Sequence, residues 1–141
     1  MKYEAAICRL DEADYYDGYV TVSILGRSLR VYYQAPVEFA LEKLVPDTVI
    51  LVDLWHVYGN AVKNDVVQKA FITSPSTSTA TVRGQVVEIA SPVEFRVDCG
   101  ILIDIDNRDG SERIAMGDSI ETCGCCKIYF PKTEWNREAV L

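Results

Sequence analysis

The chain has 141 residues, 49% hydrophobic and 25% charged, with 14 Lys and Arg set against 21 Asp and Glu for a net charge of −7. That length allows one good core or two small ones, and the frequent β-branched residues and tyrosines favour a strand-rich globule over disorder. Both halves are acidic, with 7 basic and 10 acidic side chains in residues 1–72 and 7 and 11 in residues 73–141, which disfavours general charge-driven nucleic-acid binding.

No apolar run approaches the roughly 20 residues of a membrane helix, since Val49-Ile50-Leu51-Val52 stops at Asp53. The start, Met1-Lys2-Tyr3-Glu4, lacks the apolar core of a signal peptide. The expected setting is the cytoplasm, with no membrane partner. The cysteines number five, an odd count that suits free thiols or a metal better than a disulfide framework.

In chain order, residues 3–10 form a first strand and residues 11–18 an acidic, aromatic loop. Residues 18–34 are the best-specified segment. Gly26-Arg27 suits a two-residue type II′ turn, with glycine in its first central position. Folding there pairs Ile24 with Leu29, Val22 with Val31 and Val20 with Tyr33 on one apolar face, and leaves Tyr19, Thr21, Ser23, Arg30, Tyr32 and Gln34 on the other. Pro36 opens a short helix whose stripe is Val37, Ala40, Leu41 and Leu44. Residues 49–58 are apolar on both faces except at Asp53 and His56, the pattern of a mostly buried strand. Gly59-Asn60 turns the chain back through residues 61–63, extended by residues 66–72.

The Ser/Thr run at 73–80 is the expected linker between two units, residues 1–72 and 81–130, with a tail at 131–141. Beyond it, residues 81–90 form a strand with Gly84 at a candidate bulge. A three-residue loop, Asp98-Cys99-Gly100, pairs Val97 with Ile101, Phe95 with Ile103 and Val93 with Ile105. That register sets Glu94 opposite Asp104 on the outer face, and a further turn at 107–110 brings Arg113 across to offset the like charges. Residues 119–130 are the last strand, and Trp135 in the tail is placed to cover an edge.

The order strand, hairpin, helix, strand, strand in residues 3–72 resembles an OB-fold, a five-stranded, partly open barrel. The resemblance implies a small barrel that binds on the face of its second and third strands. The expected fold is therefore mainly β: two small antiparallel barrel-like units, the first OB-like with one short helix, or one barrel-like assembly built from both halves.

Chemical signatures are few. Cys123-Gly124-Cys125-Cys126 offers three thiols, but its spacing is not the paired C-x₂₋₄-C of structural zinc sites, and no stoichiometric zinc is expected. Cys99, at a hairpin tip, is the thiol expected to titrate readily. Residues 104–110 fail the calcium-loop pattern, because aligning Gly110 puts Ile105 first and Met116 twelfth. The lone His56 reads as a hydrogen-bonded core residue. There is no nucleophile elbow, phosphate-binding loop or metalloprotease helix. No catalytic residue and no cofactor is expected.

The preferred function is a non-enzymatic binding module, for a protein partner or for self-association. The contact residues expected are Tyr19, Arg27, Arg30 and Tyr32. The alternatives are a single-stranded nucleic-acid binder using the same face, and a metal- or thiol-dependent protein using Cys123, Cys125 and Cys126.

Overall fold

Three consecutive strands open the chain: β1 (Lys2–Ala13), β2 (Asp17–Ile24) and β3 (Arg27–Gln34). A computed structural model of the protein describes residues 1–65, 68–74 and 76–135. The expected loop between β1 and β2 contracts to a turn around Tyr15-Tyr16, with the Asp14 N–H donating to the Asp17 carbonyl at 2.8 Å. The strands lengthen to meet it, and β1 bulges between Ile7 and Arg9 and again between Leu10 and Glu12.

The central hairpin keeps its expected faces and changes its register. Leu25 and Gly26 both take positive φ, 50° and 75°, so the turn is Leu25-Gly26 of type I′. Ile24 pairs with Arg27, Val22 with Leu29 and Val20 with Val31. A slip of two residues returns every side chain to the same side of a pleated strand. Val20, Val22, Ile24, Leu29, Val31 and Tyr33 are accordingly all buried, while Thr21, Ser23, Arg30 and Tyr32 stay partly exposed.

Helix α1 (Val37–Lys43) follows Pro36 as expected, but its buried stripe is rotated. Ala40 and Leu44 face inward whereas Leu41 is 62% exposed. Phe39 takes the place expected of Leu41, its ring edge-on to Phe130 at 5.1 Å between centroids. Strand β4 (Val49–Val57) buries Val52, Leu54 and His56 but leaves Val49 and Leu51 more than half exposed, so its first half is two-faced rather than buried.

After Gly59-Asn60 the chain does not fold back along β4. Strand β5 (Val62–Lys63) pairs with β10 (Ser119–Tyr129), because β10 already occupies the β4 edge, with Cys126 opposite His56. Strand β6 (Ala70–Thr73) pairs with β7 (Thr79–Ser91), so the Ser/Thr run carries the turn of a hairpin in which Thr73 faces Ala80. Residues 66–67 of the expected return strand, and the tail beyond 135, lie outside the described residues.

The register shifts of β7 fall between Val86 and Glu88 and between Ile89 and Ser91, not at Gly84. Strands β8 (Glu94–Asp98) and β9 (Leu102–Asp106) pair Val97 with Ile103 and Phe95 with Ile105, again two residues from the expected register. The loop is Cys99-Gly100-Ile101, with Gly100 at φ 103°. Arg96 rather than Glu94 therefore lies opposite Asp104, its Nε 2.9 Å from Oδ1. Asp104 is buried to 7% exposure, and Arg113 is exposed and takes no part.

Both halves make one barrel. The ring β10-β3-β2-β1-β4-β9-β8-β7 closes on β10, with β5 and β6 as extra strands at its edges. The first half of β10 pairs with β7, and the second with β4 and, in parallel, with β3 at Lys127 and Tyr32. Buried residues from both halves form a single core cluster. Helix α2 (Lys132–Trp135) follows β10, and its Trp135 packs against the core while the indole donates to the Phe130 carbonyl at 3.2 Å.

Candidate functional site

Residues opposite one another in a ladder project to the same side of the sheet. Tyr19 pairs with Tyr32, Tyr32 with Lys127, Lys127 with Trp55, Trp55 with Asp104, and Asp104 with Arg96. The neighbours in sequence, Val31, Tyr33, Cys126, Ile128, Leu54 and His56, are buried, so this row runs across the outside of the barrel. Aromatic rings and a cation thus form an unbroken transverse line over β2, β3, β10 and β4.

Three of the four expected contact residues meet on it. The Tyr19 and Tyr32 rings are 5.5 Å apart, and the Arg30 guanidinium lies 4.7 Å over the Tyr19 ring. Arg30 is already committed: Nη1 donates to the Ser76 carbonyl at 2.6 Å and Nε is 3.8 Å from Asp11 Oδ2. The Tyr32 hydroxyl donates to Asp17 Oδ2 at 2.9 Å. Burial, reinforced by Asp17, pushes the Tyr32 phenol up to about 12, so it remains a neutral donor. Arg27 does not join the group, since its Nη1 donates to the Phe71 carbonyl at 2.9 Å and its guanidinium lies over the Phe71 ring.

The sequence reading missed the part of the row that is open. Lys127 lies 6.0 Å from the Tyr32 ring centroid and donates to Gln34 Oε1 at 2.7 Å. Beside it is a hollow of about 340 Å³ walled by Trp55 and Tyr129 and rimmed by Glu94, Asp106 and Arg108. A second hollow of about 170 Å³ adds Tyr58 and Asp109. Tyr58 has φ 62° and is 61% exposed, a backbone conformation that costs a non-glycine residue about 1 kcal/mol or more. The signal available in the sequence was the alternation Cys125, Lys127, Tyr129 on β10, but what it adjoins depends on the parallel pairing with β3.

His56 is a core residue, as expected. It is fully buried, with Nε2 3.0 Å from the Ala80 carbonyl, so Nε2 carries the proton and Nδ1 is bare. Among the described residues neither Nδ1 nor the buried Thr122 hydroxyl has a partner. Burial holds the His56 imidazole below its ordinary pKa.

The thiols divide by strand face. Cys126 points inward and is buried, while Cys123 is exposed and Cys125 partly so, with its thiol donating to Ser78 Oγ at 2.9 Å. Among the described residues no group of three or more His, Cys, Asp or Glu is placed to hold a metal ion. Cys99 does not behave as a hairpin-tip thiol. It is 2% exposed and donates to the Ile101 carbonyl, and burial pushes its pKa up. Titration of the native protein with a disulfide reagent is expected to modify Cys8 and Cys123 fast and Cys125 slowly, leaving Cys99 and Cys126 unreacted until denaturant is added. Rapid labelling of Cys99, read by peptide mass, would contradict this placement.

The fold and surface define a class: a closed, mixed eight-stranded β-barrel bearing an aromatic and cationic row on its outer wall. No known protein family matches the chain, and no curated protein is significantly similar to it. Among the described residues no helix is long and apolar enough to cross a membrane.

Proposed function

We propose that this protein is a non-enzymatic binding module that docks a protein partner across the outer row from Tyr19 to Trp55. The observation that carries the reading is the unbroken register Tyr19–Tyr32–Lys127–Trp55, which ends beside an open hollow rather than a packed surface. The OB-like reading of residues 3–72 supports the same face. The pairings β1–β2–β3–β10–β4 make a five-strand circuit with α1 between its third and fourth strands in sequence, β10 supplying the fifth. Aromatic side chains give large contact area for little lost rotamer freedom, which suits an interface centre.

Single-stranded nucleic acid is the second reading, favoured by stackable rings at Tyr32, Trp55 and Tyr129. Against it stand the net charge of −7 and the carboxylates of Glu94, Asp106 and Asp109 around Lys127. Peptides selected from a displayed random library are expected to bind the wild type and to lose about tenfold or more affinity on Tyr32→Ala or Lys127→Ala, as for an interface hot spot. Labelled oligo(dT) and oligo(U) are expected to show little or no anisotropy change near physiological salt. Tight, salt-resistant oligonucleotide binding, or selected peptides indifferent to both substitutions, would overturn the proposal.

A further inference from the structure

Lys127 is the point at which the surface hollows meet, since it lines all three of those around the β3–β10–β4 seam. Its side chain is only partly exposed, and among the described residues its hydrogen-bond partner, Gln34 Oε1, is neutral. The neighbouring cation is in a different state: Arg108 is held by Asp106 through Nε to Oδ1 at 3.0 Å and Nη2 to Oδ2 at 2.8 Å. Among the described residues Lys127 forms no ion pair, and Asp106, the carboxylate whose charge acts on it, is itself paired with Arg108. Burial, and then the charge of Arg108, hold its pKa below that of an ordinary lysine. A half-buried ammonium without an ion pair is a position that an incoming anion relieves. An ammonium has three donors, and Gln34 takes one.

Resting on the docking reading above, we propose that the partner presents a single carboxylate to Lys127 and seats an apolar side chain two residues away between Trp55 and Tyr129. A carboxylate fits better than a phosphate chain because Glu94, Asp106 and Asp109 surround the cation. One negative charge pairs with Lys127 across a short distance, while each further charge meets those carboxylates instead. The apolar group suits the hollow itself, which Trp55, Val57 and Tyr129 line, Tyr129 being 49% exposed. Trp55 lies directly opposite Lys127 in the β4–β10 ladder, so an anion and an apolar group two residues apart, which share one face of an extended segment, reach both.

The test is an amide and indole NMR titration of the full chain with the capped peptide Ac-Phe-Ala-Glu-Ala-Phe-NH₂, its Gln-for-Glu counterpart, and oligo(dT). The Glu peptide is expected to shift the Trp55 indole and Lys127 amide signals and to bind about tenfold more tightly than the Gln peptide. Lys127→Met should abolish that preference and Lys132→Met should retain it. Equal binding of the two peptides, or shifts confined to residues away from Trp55, would overturn the carboxylate assignment. If library-selected peptides still need Tyr32 and Lys127 yet show no acidic residue, docking stands and this inference fails. If oligo(dT) shifts the same signals more strongly than the Glu peptide, the anion is a phosphate and the inference fails together with the choice of a protein partner.

Discussion

Gly84→Val is expected to unfold the protein, or to lower its stability by roughly 4 kcal/mol or more, a large share of the roughly 5–15 kcal/mol typical of a domain. A Cβ at Gly84 would lie 2.1 Å from the Asp98 carbonyl oxygen and 2.7 Å from its carbon. These are backbone atoms in a ladder, where Gln85 pairs with Asp98 and Val86 with Val97, so no side chain can swing aside. Gly84 also faces Ile120 of β10, and displacing it disturbs the seam that closes the barrel. Gly26→Val provides the contrast. A Cβ there meets nothing within 4 Å, so the cost is only the strain of a β-branched residue at φ 75°, on the order of 1–3 kcal/mol. Urea unfolding midpoints of both variants decide the matter, and a wild-type midpoint for Gly84→Val would show that β7 and the end of β8 do not approach this closely.

Acid is expected to destabilise the barrel through His56. The ring is caged: a Cβ at Gly59 or Gly124 would lie 2.8 Å or 2.7 Å from its Cε1. Burial lowers its folded-state pKa below the ordinary 6.5, the hydrogen bond to Ala80 opposing only in part. Below about pH 6.5 the unfolded chain takes up a proton that the folded barrel refuses. The His56 contribution is therefore fully present above that pH. It is lost as pH falls toward the folded-state pKa, with a slope of up to about 1.4 kcal/mol per unit. His56→Gln keeps a donor for the Ala80 carbonyl and removes the titration. Between about pH 7.5 and 5.5 the wild type should lose more stability than this variant. Parallel pH dependence of the two would mean that His56 becomes charged without opening the core.

Within the two hairpins the strand faces were legible in the sequence and the registers were not, for one reason. Side-chain alternation has a period of two, so a hairpin shifted by two residues buries the same set. The turns at Leu25-Gly26 and Cys99-Gly100-Ile101 each sit one residue from the expected position, and each glycine still supplies a positive φ. That small shift had a chemical consequence in β8 and β9, because it placed Arg96 rather than Glu94 opposite Asp104. At Cys99 the tip was expected to expose the thiol, and the observed loop turns it inward.

The site was legible by half. Tyr19, Arg30 and Tyr32 follow from alternation within one hairpin, but Arg30 turns out to be held by Ser76 and Asp11, segments the hairpin does not contain. Lys127, Trp55 and Arg108 came from three strands or loops distant in sequence, joined by the antiparallel pairing of β10 with β4 and the parallel pairing of β4 with β9. No local pattern encodes such a junction, because a strand that pairs with four others shows only its own alternation.

The most direct test of the docking face is a backbone and indole NMR map of the protein bound to its tightest library-selected peptide. The largest shifts should form one contiguous strip through Tyr32, Lys127, Trp55 and Tyr129, with Glu88 and the β6 edge unmoved. A strip centred elsewhere on the barrel, with the Trp55 indole and Lys127 amide unchanged, would contradict the account.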